Sequence, residues 1–139
     1  MSPLPRLIRQ QLRTDTRGVC GYCQTQERVS GIPLTTEHIL PLAKGGSDTI
    51  ENLWQSCRSC NEAKGVMIEF PDPESGTTTP LFNPRTQPWN LHFRWNADYS
   101  TILGTTPAGK ATVAALNLND EIRVSARQLW HEAGYHPPD

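Results

Sequence analysis

Residues 20–23 read Cys20-Gly21-Tyr22-Cys23, and a second pair of the same spacing follows as Cys57-Arg58-Ser59-Cys60. These are all four cysteines of the chain. A C-x-x-C pair suits two chemistries. Two thiols can cycle through a disulfide, one of them at lowered pKa. Two thiolates can instead bind one tetrahedral ion. Redox pairs sit in a βαβ context, which neither stretch has. Taken together, the two pairs supply four sulfurs, enough to close a Zn²⁺ site with no position left for water or substrate. Such a zinc holds a fold and does no chemistry itself. The 33 residues between Cys23 and Cys57 exceed a zinc-ribbon gap, so a further element is inserted between the two knuckles.

The rest of the chain agrees with a small stapled fold. Its 139 residues fit one domain with an appendage. Apolar residues are 36% of it, against 12 prolines and 10 glycines, which leaves a loop-rich chain with a modest core. Small cores take a metal or a disulfide as a staple. No apolar run follows the first basic residues, and nothing approaches the roughly 20 apolar residues of a membrane helix. A cytoplasmic, reducing location is therefore expected, where cysteines bind metal more often than they pair.

The net charge of −1 argues against a nonspecific nucleic-acid binder, but the charge is unevenly spread. Residues 1–36 carry five arginines (Arg6, Arg9, Arg13, Arg17, Arg28) against Asp15 and Glu27. Residues 37–84 carry three cations against seven acids, and the remainder balances. A basic N-terminal arm either follows a phosphate backbone or forms a solvated helix face.

Residues 3–14 read as a helix, with Pro3 or Pro5 near its start and Leu4, Leu7, Ile8 and Leu12 on one side. Residues 33–39 and 52–56 read as short strands joined by the flexible AKGGSD loop, and CRSCNEAK as a helix closed by Gly65. Residues 71–90, rich in Pro, Thr, Asn and Gly, read as loops. A hairpin is expected over 91–103 with its turn at Asn96–Ser100. Two helices should follow, one after Pro107 and one capped by Asn119. Trp89, Phe93 and Trp95 read as packing residues, and His92, His131 and His136 as structural or surface residues.

The inserted segment holds Glu37-His38-Ile39, Pro41, Gly45-Gly46 and Asn52; Asn61 follows the last cysteine and Lys64 lies three residues on. Phosphodiester hydrolysis needs a base for water and neutralisation of charge on the phosphoryl and leaving oxygens. His38 suits the base, since its unperturbed pKa lies near neutrality. Glu37 and Asn61 offer hard oxygen ligands, which favour Mg²⁺ or Mn²⁺. Adjacent strand residues face opposite ways, so Glu37 and His38 serve one site only at a strand end or bulge.

This order of elements across residues 20–64 resembles the His-Asn-His (HNH) endonuclease family in its four-cysteine zinc form. More loosely, HFRW, GTTPAGKATV and ALNLN resemble extensions of small bacterial members. The resemblance implies an α+β protein. A zinc-stapled ββα-metal core (residues 1–70) would carry an N-terminal helix, and residues 71–139 would form a hairpin-plus-helices extension packed on it. It also implies metal-dependent cleavage of DNA (duplex, branched or single-stranded) to 5′-phosphate and 3′-hydroxyl ends. By position, His38 is the general base and Asn52 braces the loop between the strands. Glu37 and Asn61 hold the catalytic Mg²⁺ or Mn²⁺, and Cys20, Cys23, Cys57 and Cys60 hold zinc. Arg58 or Lys64 contacts a phosphate. Two positions depart from the commonest pattern: Glu37 stands for Asp or His, and Asn61 for His. A non-catalytic zinc module that binds nucleic acid is the alternative, and such a binder has no need of His38 beside a carboxylate.

Overall fold

The computed structural model describes residues 4–139, so Pro3 lies outside the described residues. Helix α1 (Arg6–Thr16) follows Pro5 and ends at Arg17, which turns left-handed at φ 59° and returns its N–H to Arg13. The first cysteine knuckle comes next, then the single turn α2 (Glu27–Ser30). Strands β1 (Thr35–His38) and β2 (Leu53–Ser56) pair antiparallel, with Glu37 opposite Trp54 and His38 opposite Leu53. Helix α3 (Arg58–Lys64) starts at Cys57, whose sulfur accepts the Cys60 N–H. It ends at Gly65, where φ is +52°, a conformation glycine adopts without strain. The segment is therefore ββα, with the irregular stretch 39–52 as the link between strands.

Helix α1 is fastened across β2. The Thr16 hydroxyl donates to Gln55 Oε1 at 2.5 Å, and Asp15 pairs with Arg85 at 2.7 Å. Paired residues of an antiparallel ladder share a face, so Thr36, His38, Leu53 and Gln55 lie on the side that α1 covers in part.

The second half opens on a hairpin absent from the sequence expectation: β3 (Glu69–Pro71) with β4 (Thr78–Pro80). Its strands are only three residues long and each ends on a proline, so no alternating pattern marks them. Asp72 closes the turn, accepting from the Glu74 N–H and the Ser75 hydroxyl. The single turn α4 (Trp89–His92) leads into the expected hairpin of β5 (Phe93–Trp95) and β6 (Ile102–Gly104). Helix α5 (Pro107–Ala115) is capped by Thr106 and begins on Pro107. Helix α6 (Glu121–Glu132) is capped by Asp120, not by Asn119. The Asn119 amide is already engaged, bonding both the N–H and the carbonyl of Ile102 at 2.8 Å.

One apolar cluster joins the two halves. Cys20, Tyr22, Cys23, Leu34 and Cys60 meet Leu81, Phe82, Phe93, Ile102, Leu116 and Leu118. Phe82 stands edge-on to both Tyr22 and Phe93. Trp89 packs against the cluster and donates its indole N–H to the Tyr22 carbonyl at 2.8 Å. Arg127, fully buried, ties α6 down by donating to the carbonyls of Ser100 and Leu118. The architecture is α+β, and among the described residues no helix is long and apolar enough to cross a membrane.

Candidate active site

The four cysteines converge. Their sulfurs lie within 4.8 Å of one another, and Cys20, Cys23 and Cys60 are fully buried. None forms a disulfide. Each knuckle is shaped by its own backbone: Gln24 N–H bonds the Cys20 carbonyl, and Asn61 N–H bonds the Cys57 carbonyl. Tetrahedral thiolates at zinc–sulfur distances stand about 3.8 Å apart, and Cys23 and Cys57 sulfurs are 3.5 Å apart. Burial raises the Cys20 thiol, whereas hydrogen bonds from neighbouring sulfurs lower that of Cys23. Four thiols so placed ionise together only around a cation. The Arg123 guanidinium from α6 donates to Cys60 Sγ at 3.1 Å, adding positive charge beside the sulfurs. The group is arranged to bind a metal ion.

His38 ends β1 and is thus at a strand end, where its ring is free of the ladder. Its Nε2 lies 2.7 Å from Asp48 Oδ1. A carboxylate only accepts, so Nε2 carries the proton of this bond and the neutral ring keeps its lone pair at Nδ1. Asp48 comes from the glycine-rich loop and was not singled out in the sequence; its one signal there is an acid in the loop opposite the base.

Asn52 binds that loop at both ends. Its Oδ1 accepts from Leu40 N–H at 2.8 Å, while its Nδ2 donates to the carbonyls of Leu40 at 3.0 Å and Ser47 at 2.9 Å. Gly46 makes this closure fit: a Cβ there would stand 1.7 Å from the Leu40 carbonyl oxygen. The amide thus fixes the segment that carries Asp48, and through it the histidine.

Glu37 faces the other way from His38, towards the knuckle and α3, so the strand end does not turn the two onto one face as the sequence reading of a shared site required. It is 3% exposed. Its Oε1 accepts the Tyr22 hydroxyl at 2.5 Å and stands 3.0 Å from Lys64 Nζ. Its Oε2 is buried without a partner. Burial pushes the Glu37 carboxyl above its ordinary value, against the Lys64 charge and the Tyr22 hydrogen bond, which pull it down. Lys64, read from the sequence as a candidate phosphate contact, is itself 3% exposed. Its ammonium is held between Glu37 and the Ile39 carbonyl, 3.1 Å away, and so faces inward. Asn61 lies on α3, half-buried, one turn before Lys64, and its side chain makes no hydrogen bond among the described residues. Glu37 Oε2 is thus an orphaned hard oxygen of the kind a divalent ion such as Mg²⁺ or Mn²⁺ binds.

The other cations that the sequence offered as phosphate contacts are at the surface. Arg58 is exposed and pairs with Glu62 within α3 at 2.9 Å. Arg6, Arg9, Arg17 and Arg28 are exposed, while Arg13 pairs with Glu27. His92, His131 and His136 bond Thr106 or backbone carbonyls in the second half, away from β1.

The ββα unit thus carries a four-sulfur group, a histidine at a strand end and a braced loop. Residues 20–71 match the HNH endonuclease family, and the four-cysteine group lies within that stretch. The match stops at Pro71 and leaves β4 to α6 outside it. No curated protein matches the chain.

Proposed function

We propose that the protein is a metal-dependent endonuclease that hydrolyses DNA phosphodiester bonds. The observation that carries this reading is the His38–Asp48 pair at the end of β1, inside the segment that matches the HNH endonucleases. His38 Nδ1 takes a proton from the attacking water, and the Asp48 carboxylate then faces the imidazolium. The water oxygen attacks phosphorus, the P–O3′ bond breaks, the departing O3′ takes a proton from solvent water, and the products are a 5′-phosphate and a 3′-hydroxyl. Asn52 is a positioning residue that holds the loop. Glu37 and Asn61 would hold Mg²⁺ or Mn²⁺. Such an ion would neutralise phosphoryl and leaving-group charge where the phosphate reaches past the end of β1 to the Glu37 side of the strand. Zinc on Cys20, Cys23, Cys57 and Cys60 holds the fold.

DNA would meet the domain on the His38 face. Helix α1 borders that face, so Arg6 and Arg9 on it, Arg17 at its end and Arg28 on α2 are the phosphate contacts on one flank, with Arg58 on α3. Lys64 stays inside, neutralising Glu37. Replacing Arg6, Arg9, Arg17 and Arg28 with glutamine, in a His38→Ala background that binds without cutting, should weaken binding to all sequences alike. Each lost phosphate contact reduces the slope of log K against log salt by about 0.9, so the four together reduce it by about 3 to 4. An unchanged slope would remove α1 and α2 from the interface.

Asp48→Asn keeps the loop bonds of Asn52 but removes the charge opposite the imidazolium. A loss of roughly tenfold in nicking rate is expected with DNA affinity unchanged; a wild-type rate would exclude Asp48 from the mechanism.

The reading itself is tested on supercoiled plasmid with zinc-loaded protein, with and without Mg²⁺ or Mn²⁺. Metal-dependent nicks that DNA ligase seals directly support the proposed chemistry. Nicks that ligase leaves open contradict the assigned ends. A gel shift with no cleavage favours a binding module instead.

A further inference from the structure

Three elements meet on a single carboxylate oxygen. Tyr22 is the third residue of CGYC and is fully buried between the two cysteines of its knuckle. Its hydroxyl reaches across to β1 and donates to Glu37 Oε1 at 2.5 Å. Lys64, from the last turn of α3, approaches the same oxygen at 3.0 Å. The second oxygen, Oε2, is left buried with no partner.

That asymmetry is not what burial alone favours. A buried carboxylate lowers its energy by spreading donors over both oxygens, and an orphaned buried acceptor costs about 1–3 kcal/mol. Here both donors sit on one oxygen. The Tyr22 hydroxyl is held from outside as well. Its ring packs edge-on to Phe82, and its carbonyl accepts the Trp89 indole N–H. The knuckle's neighbouring N–H, that of Gly21, bonds the Gln55 carbonyl at 3.0 Å and docks the knuckle on β2. The donor cannot follow the carboxylate if it rotates.

We propose that Tyr22 is a positioning residue for the divalent-ion site: its hydroxyl, together with the Lys64 ammonium, fixes Glu37 Oε1 and reserves Oε2 as the oxygen for the cation. This rests on Glu37 being an ion ligand, as in the function proposed above. It also links the two metal groups physically. The knuckle that closes around zinc is the one that carries the hydroxyl, so the order of the cysteine group sets the aim of the Glu37 carboxylate.

The test uses the full zinc-loaded chain as wild type, Tyr22→Phe and Glu37→Gln. Binding of Mn²⁺ is followed by the electron paramagnetic resonance signal of the free ion, well below each protein's own melting midpoint. Zinc content is measured on the same samples, so a variant is compared only while folded and zinc-loaded. The expected result is weaker Mn²⁺ binding in Tyr22→Phe by roughly tenfold or more, with zinc content unchanged. The Mn²⁺ concentration that half-saturates nicking should rise by the same factor, while KM for DNA stays put. A purely structural tyrosine would lower the melting midpoint and leave the Mn²⁺ isotherm where it was. Wild-type Mn²⁺ affinity in Tyr22→Phe, with binding lost in Glu37→Gln, overturns the role of Tyr22 alone. Wild-type affinity in Glu37→Gln overturns the ligand role of Glu37 and this proposal with it.

Discussion

Stripping the ion from the four cysteines should unfold the chain, not merely silence it. Cys20, Cys23 and Cys60 are members of the one apolar cluster that joins the ββα unit to the second half. Without an ion, that cluster holds four thiols packed within 4.8 Å. Nothing else ties the first knuckle to the second covalently, since no disulfide is present. Structural zinc contributes about 10–16 kcal/mol of apparent binding free energy at neutral pH. The net stability of a domain is only about 5–15 kcal/mol, so the loss exceeds what remains. Treatment with a zinc chelator should release one zinc per chain and abolish the cooperative melt seen by far-ultraviolet circular dichroism. Cys57→Ser should behave similarly, since three sulfurs leave the tetrahedron open. Excess Mg²⁺ should not restore the fold, because soft thiolates do not select a hard ion. A chelated protein that still melts cooperatively at the original midpoint would assign the cysteines another role.

His38→Ala should leave the fold intact and remove the reaction. The side chain sits at the end of β1 and, among the described residues, hydrogen-bonds exposed Asp48, so little packing depends on it. Zinc content, melting midpoint and DNA affinity should therefore match wild type. The nicking rate should fall by about a thousandfold, inside the range of roughly 10²–10⁴ for a general base. That is about 4 kcal/mol of barrier. Added imidazole should return part of the rate to the alanine variant, since the missing group is a proton acceptor in an accessible place. A variant with equally poor DNA binding would instead point to a damaged surface.

What could be read from the chain alone follows the range of the contact concerned. The cysteine knuckles were legible because C-x-x-C geometry is set within four residues. The strands of the ββα unit, α3 and its glycine stop were legible from motif order. Asn52 was legible as a brace only through the family pattern; its three bonds to Leu40 and Ser47 depend on the loop's closure. Asp48 and Tyr22 were not legible in these roles. Each meets its partner across ten or more residues, and neither spacing has a local signature. Lys64 reads as a surface cation by residue type, yet the buried Glu37 draws it inward. The β3–β4 hairpin was hidden by its short, proline-ended strands, and α6 took Asp120 as its cap because Asn119 was committed to Ile102.

The central claim is hydrolysis of DNA by this domain with His38 as its base. The most direct measurement compares zinc-loaded wild type and His38→Ala on supercoiled plasmid in Mg²⁺, under single-turnover conditions, with DNA binding measured in parallel. Metal-dependent nicking by wild type, lost by about a thousandfold in a variant that binds DNA equally well, is the predicted result. Equal nicking by the two proteins, or none by either while both bind DNA, would contradict it.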